Sequence, residues 1–125
     1  MKILLADDNP EVRSALRLLL EQEPILAMVM EVTDTQGLLA LLRENCPMIV
    51  LLDWELPGLH SSDFLGLVRS RCPEMKVIAL SSKFEARQEA LAAGVDAFVS
   101  KAEPAEKILS TIWSFLPNPK KEGNL

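Results

Sequence analysis

No apolar run in this sequence approaches the ~20 residues that a membrane-spanning helix needs. The first run, Ile3 to Ala6, is also far shorter than the roughly 7–15 residues of a signal-peptide core, so a cytoplasmic location is expected. Positive charge is not in excess: 13 Lys and Arg stand against 18 Asp and Glu, a formal net charge of -5. That balance argues against this domain gripping a nucleic-acid backbone. CxxC pairs and Cys/His clusters are absent as well. Cys46 and Cys72 stand far apart and are expected as two reduced, semi-buried thiols. The single histidine, His60, has no partner in sequence and suits a loop or helix start better than a ligand or base. Internal repeats and low-complexity segments are also missing.

What is present suits one globular domain. The 125 residues are 49% apolar and 25% charged, enough for one sizeable core. Short apolar runs alternate with segments of helical period. The runs are KILLA (2–6), AMVMEV (27–32), MIVLLD (48–53), KVIALS (76–81) and DAFVS (96–100). Several are apolar on both faces, as strands covered by helices above and below must be.

Five helices are predicted between and after them. In the first, Asn9 caps, Pro10 takes the first position, Val12, Leu16, Leu19 and Leu20 form the apolar stripe, and Pro24 closes it. The second spans about 34–44 from Asp34, the third about 62–71, the fourth about 84–93 with Gly94 as a left-handed cap, and the last about 104–116. Strands alternating with helices imply right-handed crossovers and a parallel sheet with helices on both faces. Residues 1–116 form this domain. The polar PNPKKEGNL (117–125) reads as a solvated tail or a truncated linker.

Ligand sites in such sheets lie beyond the carboxyl ends of the strands. Asp7 and Asp8 follow the first run, Asp53 ends the third, Ser81 ends the fourth, and Lys101 follows the fifth. All five therefore collect at one edge. Crowded carboxylates need a counter-charge. A hard ion such as Mg²⁺ takes oxygen ligands, and one or two direct carboxylates suffice to hold it. About -3 from the aspartates then meets about +3 from Mg²⁺ and Lys101, a neutralised pocket that can host a phosphoryl group.

At these residues the chain resembles a response-regulator receiver domain, the CheY-like fold of two-component signalling. The motifs that carry the likeness are LLADDNPEVR, IVLLDWELPG, VIALSSK and GVDAFVSKAEP, and it covers about residues 1–116. The resemblance implies a doubly wound (βα)5 domain with strand order 2-1-3-4-5. Asp53 would accept a phosphoryl group from a histidine kinase, a phosphotransfer protein or a small acyl phosphate. Asp8, Asp53 and the backbone carbonyl of Glu55 would hold Mg²⁺, with Asp7 acting through a metal-bound water. Lys101 and Ser81 would each hold a phosphoryl oxygen. Phe98 matches the switch aromatic, whose ring would move inward as Ser81 is drawn to the phosphoryl group. That would rebalance the face of the fourth helix, fifth strand and fifth helix, with a homodimer among the possible outcomes. Glu55 and Lys83 flank the pocket where the lifetime of the phosphorylated form would be tuned.

The chain departs from the family pattern in three places. Trp54 stands where a smaller aliphatic residue is usual, and its indole could shield the site or meet a partner. Ser61 replaces a glycine, so the start of the third helix can differ. Ala102 follows Lys101 where a proline is common, and SKAEPAEKIL is closer to the receivers of NarL/LuxR-type transcriptional regulators. Trp113 and Phe115 on the last helix can pack inward or serve a dimer. Rival readings are weaker. A haloacid-dehalogenase-like hydrolase needs an aspartate where Glu55 stands. A flavodoxin-like site needs a Ser/Thr/Gly-rich loop where DDNP stands. A degenerate receiver would lack pocket residues that are all present.

Overall fold

The computed structural model describes residues 1–23, 28–60 and 63–116. Strands β1 (Lys2–Ala6), β2 (Met28–Val32), β3 (Ile49–Asp53), β4 (Lys76–Ser81) and β5 (Ala97–Ser100) alternate with five helices. These are α1 (Pro10–Glu21), α2 (Thr35–Leu42), α3 (Phe64–Arg71), α4 (Ala86–Ala93) and α5 (Glu106–Ser114). The sheet is parallel throughout and ordered β2-β1-β3-β4-β5, as expected. Among the described residues, no helix is long and apolar enough to cross a membrane.

Alternation along each strand divides the core in two. Ile3, Leu5, Ile49, Leu51, Ile78 and Leu80 face α1 and α5, packing on Leu16, Leu20, Ile108 and Ile112. Leu4, Ala6, Val50, Leu52, Val77 and Ala79 face the other way, against Leu38, Leu42, Phe64, Val68, Ala86 and Ala90 of α2, α3 and α4. β3 lies at the centre, buried along its whole length. This explains its unbroken apolar run.

Most helix starts fall one or two residues later than the periodicity predicts. Asp34 and Asp63 are caps outside their helices, accepting from the backbone N–H of Gly37 and Gly66. Ahead of α4 and α5 the chain makes turns closed three residues back, Ala86 to Lys83 and Lys107 to Pro104. Such turns tighten helix ends without continuing their apolar period. Gly94 takes φ 110° and ends α4, the left-handed cap expected there. Pro24, Ala27, Ser61 and the 117–125 tail lie outside the described residues.

The expectation for the cysteines is overturned: Cys46 and Cys72 are joined in a disulfide, with their Cα atoms 5.6 Å apart. The topology accounts for it. A chain that leaves along β3 and returns along α3 brings the residues flanking that unit back to the amino edge of the sheet.

At the sheet's outer edge, Glu31 on β2 receives Arg13 Nε at 2.9 Å and Arg17 Nε at 2.6 Å from α1. The Arg17 hydrogen bond is the main reason the Glu31 carboxyl sits below the usual range; partial burial opposes it and Arg13 assists. Replacing Glu31 by Gln is expected to cost less than about 1 kcal/mol, because the pairs are solvent-screened. A depressed carboxyl stabilises above its unfolded pKa and stops doing so as pH falls through its folded pKa. Urea midpoints of wild type and Glu31→Gln should therefore differ at pH 7 and converge in acid.

Candidate functional site

The sheet order places β1 beside β3, where the winding direction reverses, and it is beyond the carboxyl edge at such points that ligands bind in open parallel sheets. Asp7 is the first residue beyond β1, and its N–H still bonds to the Val32 carbonyl at 3.1 Å. Asp7 Oδ1 accepts the Asn9 N–H at 2.9 Å, while the Asn9 side chain caps α1 through Glu11 and Val12. The strand therefore turns into a helix immediately after delivering two carboxylates. Asp7 is 2% exposed and Asp53, the last residue of β3, is 3% exposed, whereas Asp8 stands in solvent.

Oxygens of Asp7, Asp8 and Asp53 all lie within 4.8 Å of one another. Lys101 reaches in from beyond β5, held by its N–H on the Ser81 carbonyl at 2.9 Å. Its ammonium is 3.1 Å from Asp7 Oδ2 and 3.3 Å from Asp53 Oδ1. The fourth strand supplies Ser81, fully buried. Asp7, Asp8, Asp53 and Lys101 thus come together at one point, and Ser81 ends β4 at the same sheet edge.

Electrostatics at this point are those of a site short of positive charge. Burial, reinforced by the neighbouring Asp7 charge, pushes the Asp53 carboxyl above its ordinary range. The Glu55 N–H, 3.0 Å from Asp53 Oδ1, and the Lys101 ammonium pull the other way without cancelling that rise. Burial alone would lower Lys101, but its hydrogen bonds and charge contacts with Asp7 and Asp53 outweigh it and leave the ammonium raised. One lysine is asked to neutralise more carboxylate than it can. A hard divalent cation with oxygen ligands fits this donor set.

Comparison with known proteins agrees with this geometry. The response regulator receiver domain profile matches residues 3–113. The chain belongs to this receiver family. A fimbriae Z protein of Salmonella typhimurium is 29% identical over 93% of the chain, which covers 59% of that relative. The transcriptional activator protein ExaE of Pseudomonas putida is 31% identical over 90% of the chain, which covers 53% of that relative. The chain thus spans between about half and three-fifths of these relatives' length. Among solved structures, a LuxR-family two-component response regulator from Aurantimonas sp. SI85-9A1 superposes with TM-score 0.80 at 28% identity, covering 90% of this chain and 82% of that one. The chemotaxis response regulator CheY4 of Vibrio cholerae superposes with TM-score 0.78 over 92% of this chain and 98% of that one. At 23% identity, this second likeness shows the fold.

Around the receiver's pocket several side chains lie where sequence reasoning did not place them. Trp54 is buried in the α2–α3–α4 core, and its Nε1 donates to Glu89 Oε1 on α4 at 3.2 Å. His60 sits in the turn after β3, with Nε2 2.7 Å from the Trp54 carbonyl and its ring edge-on to the indole. Nothing in sequence spacing pairs Glu89 with Trp54. The Phe98 ring, expected to move inward, is already inside at 7% exposure. Its place in the core that includes Ala86 and Ala90 needs no phosphoryl group to create it. Phe84, just ahead of α4, faces solvent at 85% exposure. On α5 the two aromatics divide: Phe115 packs against the core under Lys76, while Trp113 stays exposed.

Ser81 shows the least expected contact. Its hydroxyl donates to the Glu55 carboxylate, 2.8 Å from Oε1 and 3.0 Å from Oε2, and accepts the Lys83 N–H at 3.0 Å. Both residues expected to flank the pocket therefore touch Ser81, Lys83 through its backbone and Glu55 through its side chain.

Proposed function

We propose that this receiver is a phosphorylation switch with Asp53 as the acceptor. The carboxylate attacks the phosphorus of a phosphohistidine or an acyl phosphate. A new O–P bond forms at Asp53 while the P–N or P–O bond to the donor breaks, and the donor leaves with the bonding electrons. Carrying this reading is the convergence of Asp7, Asp8 and Asp53 within 4.8 Å beside the Lys101 ammonium. Asp8, Asp53 and the Glu55 backbone carbonyl would hold Mg²⁺, with Asp7 contributing through a water. When bound, the ion supplies counter-charge for the carboxylates and the incoming phosphoryl oxygens. Lys101 shifts from its carboxylate partners towards a phosphoryl oxygen, as a compact point charge. Ser81 donates to another.

The partner is a sensor histidine kinase or a phosphotransfer protein in the cytoplasm, and the protein catalyses only its own phosphorylation and slow dephosphorylation. Because Phe98 is already buried, phosphorylation acts by favouring that placement within an existing equilibrium of the α4–β5–α5 face. The exposed Trp113 on α5 gives a phosphorylation-dependent homodimer one large apolar contact. A transcriptional output would run through a helix-turn-helix domain, since the acidic receiver is unsuited to DNA itself; a stand-alone receiver would act by protein contact instead.

Intact mass after incubation with Mg²⁺ and acetyl phosphate tests the reading. Wild type should gain one phosphoryl group and Asp53→Ala none; an unmodified wild type, or an equally modified Asp53→Ala, refutes it. Mg²⁺ should also raise the melting midpoint of wild type, and Asp8→Ala should lose most of that gain.

A further inference from the structure

Ser81 is fully buried and its hydroxyl has one proton to give. That proton is committed to the Glu55 carboxylate, whose two oxygens lie 2.8 and 3.0 Å away. The hydroxyl oxygen is occupied as an acceptor by the Lys83 N–H at 3.0 Å. Glu55 reaches this position because its own N–H is fixed to Asp53 Oδ1 at 3.0 Å, which anchors its backbone beside the acceptor. Among the described residues, no cationic side chain forms an ion pair with the Glu55 carboxylate. Ser81 is the side-chain donor that holds it in place.

We propose that Glu55 is a positioning residue whose carboxylate takes the Ser81 hydroxyl proton in the resting receiver, so that a phosphoryl group on Asp53 must displace Glu55 before Ser81 can serve it. The inference rests on Asp53 being the acceptor. Two acceptors compete for one donor, and both are anionic. Like charge makes simultaneous occupation unfavourable. Since Glu55 is otherwise exposed, its side chain has open solvent to swing into once Ser81 is withdrawn. A hydrogen bond to a charged acceptor is among the stronger polar contacts a protein makes, so the exchange sets a real threshold. Glu55 thereby acts on Ser81 rather than directly on the phosphoryl chemistry.

A cross of two substitutions separates this from a plain charge effect. With Mg²⁺ and acetyl phosphate, Glu55→Ala should accelerate accumulation of the Asp53 adduct by about tenfold, the release expected from removing one charged acceptor. In a Ser81→Ala background the same Glu55→Ala change should have no effect, because no hydroxyl remains to be released. Equal acceleration in both backgrounds would mean that Glu55 only repels the donor, and the proposal would fail. It would also fail if Glu55→Ala left the rate unchanged with Ser81 intact. Should wild type show no adduct at all, the acceptor reading itself falls, and the contact can still be judged in the unphosphorylated protein. There, losing the carboxylate depolarises the Ser81 hydroxyl, so the Lys83 amide resonance should move in Glu55→Ala. A resonance left in place overturns the contact as well.

Discussion

Replacing Lys101 by Met should destabilise the metal-free receiver by about 2–3 kcal/mol at neutral pH. The Lys101 ammonium stands 3.1 Å from Asp7 and 3.3 Å from Asp53, two carboxylates with almost no contact with water. Methionine keeps most of the aliphatic stem and removes the charge. Breaking a fully buried pair from one side costs about 3–5 kcal/mol. The Lys101 side chain is 25% exposed, so part of its present contribution is already screened, which brings the loss down to about 2–3 kcal/mol. The pH dependence has a definite sign. Lys101 now pulls the Asp53 carboxyl down against burial, and without it the carboxyl rises further. A carboxyl whose folded pKa is raised penalises the fold above that pKa and ceases to do so below its unfolded value. The gap between wild type and Lys101→Met should therefore be widest at neutral pH and close in acid. Mg²⁺ should narrow it too, by supplying the missing positive charge. Urea unfolding at pH 7.5 and pH 4, with and without Mg²⁺, measures all three effects. A variant as stable as wild type in neutral, metal-free buffer would show that the carboxylates bear no such strain.

The elements that build this pocket were legible because each strand ends where an apolar run meets a polar residue. Asp7, Asp53 and Ser81 mark three such junctions, and parallel topology carries them to one edge. Lys101 follows the same logic from the edge strand. Side-chain direction is another matter. Glu55, two residues beyond Asp53, lies in a turn with no period to show which way it points. Its capture of Ser81 emerges only once β3 and β4 are neighbours. Trp54 is similar: it follows Asp53 in sequence, and only the fold shows its indole buried under α4 and bonded to Glu89. Phe98 was correctly placed on a buried strand, yet its position in the sequence did not show that the ring already lies in the core. Phe84 was read into the fourth helix. The turn closed by Ala86 and Lys83 leaves it outside that helix and in solvent.

Reducing the Cys46–Cys72 bond should lower the unfolding free energy by about 3 kcal/mol, or roughly 10 °C in a domain of this size. Absence of a CxxC motif pointed to separate thiols, but motif rules describe local spacing, and this pair is made by a strand and a helix returning to one edge. The bond closes a loop of 26 positions that contains β3, the Asp53 turn and α3. Fixing the ends of such a loop removes conformations chiefly from the unfolded chain, the source of the expected stabilisation. The effect belongs to the end of the sheet away from the acidic cluster, so the contacts of Lys101 with Asp7 and Asp53 need not change. Acetyl phosphate labelling of Asp53 should thus survive reduction at temperatures well below the new midpoint. Cys46→Ser is the cleaner substitution, because Cys46 is exposed while Cys72 is buried in the core. It should reproduce the loss seen on reduction, and adding reductant to the variant should lower its midpoint no further. Two maleimide-reactive thiols in the oxidised, denatured protein, or an identical midpoint with and without reductant, would show that the two sulfurs are not joined.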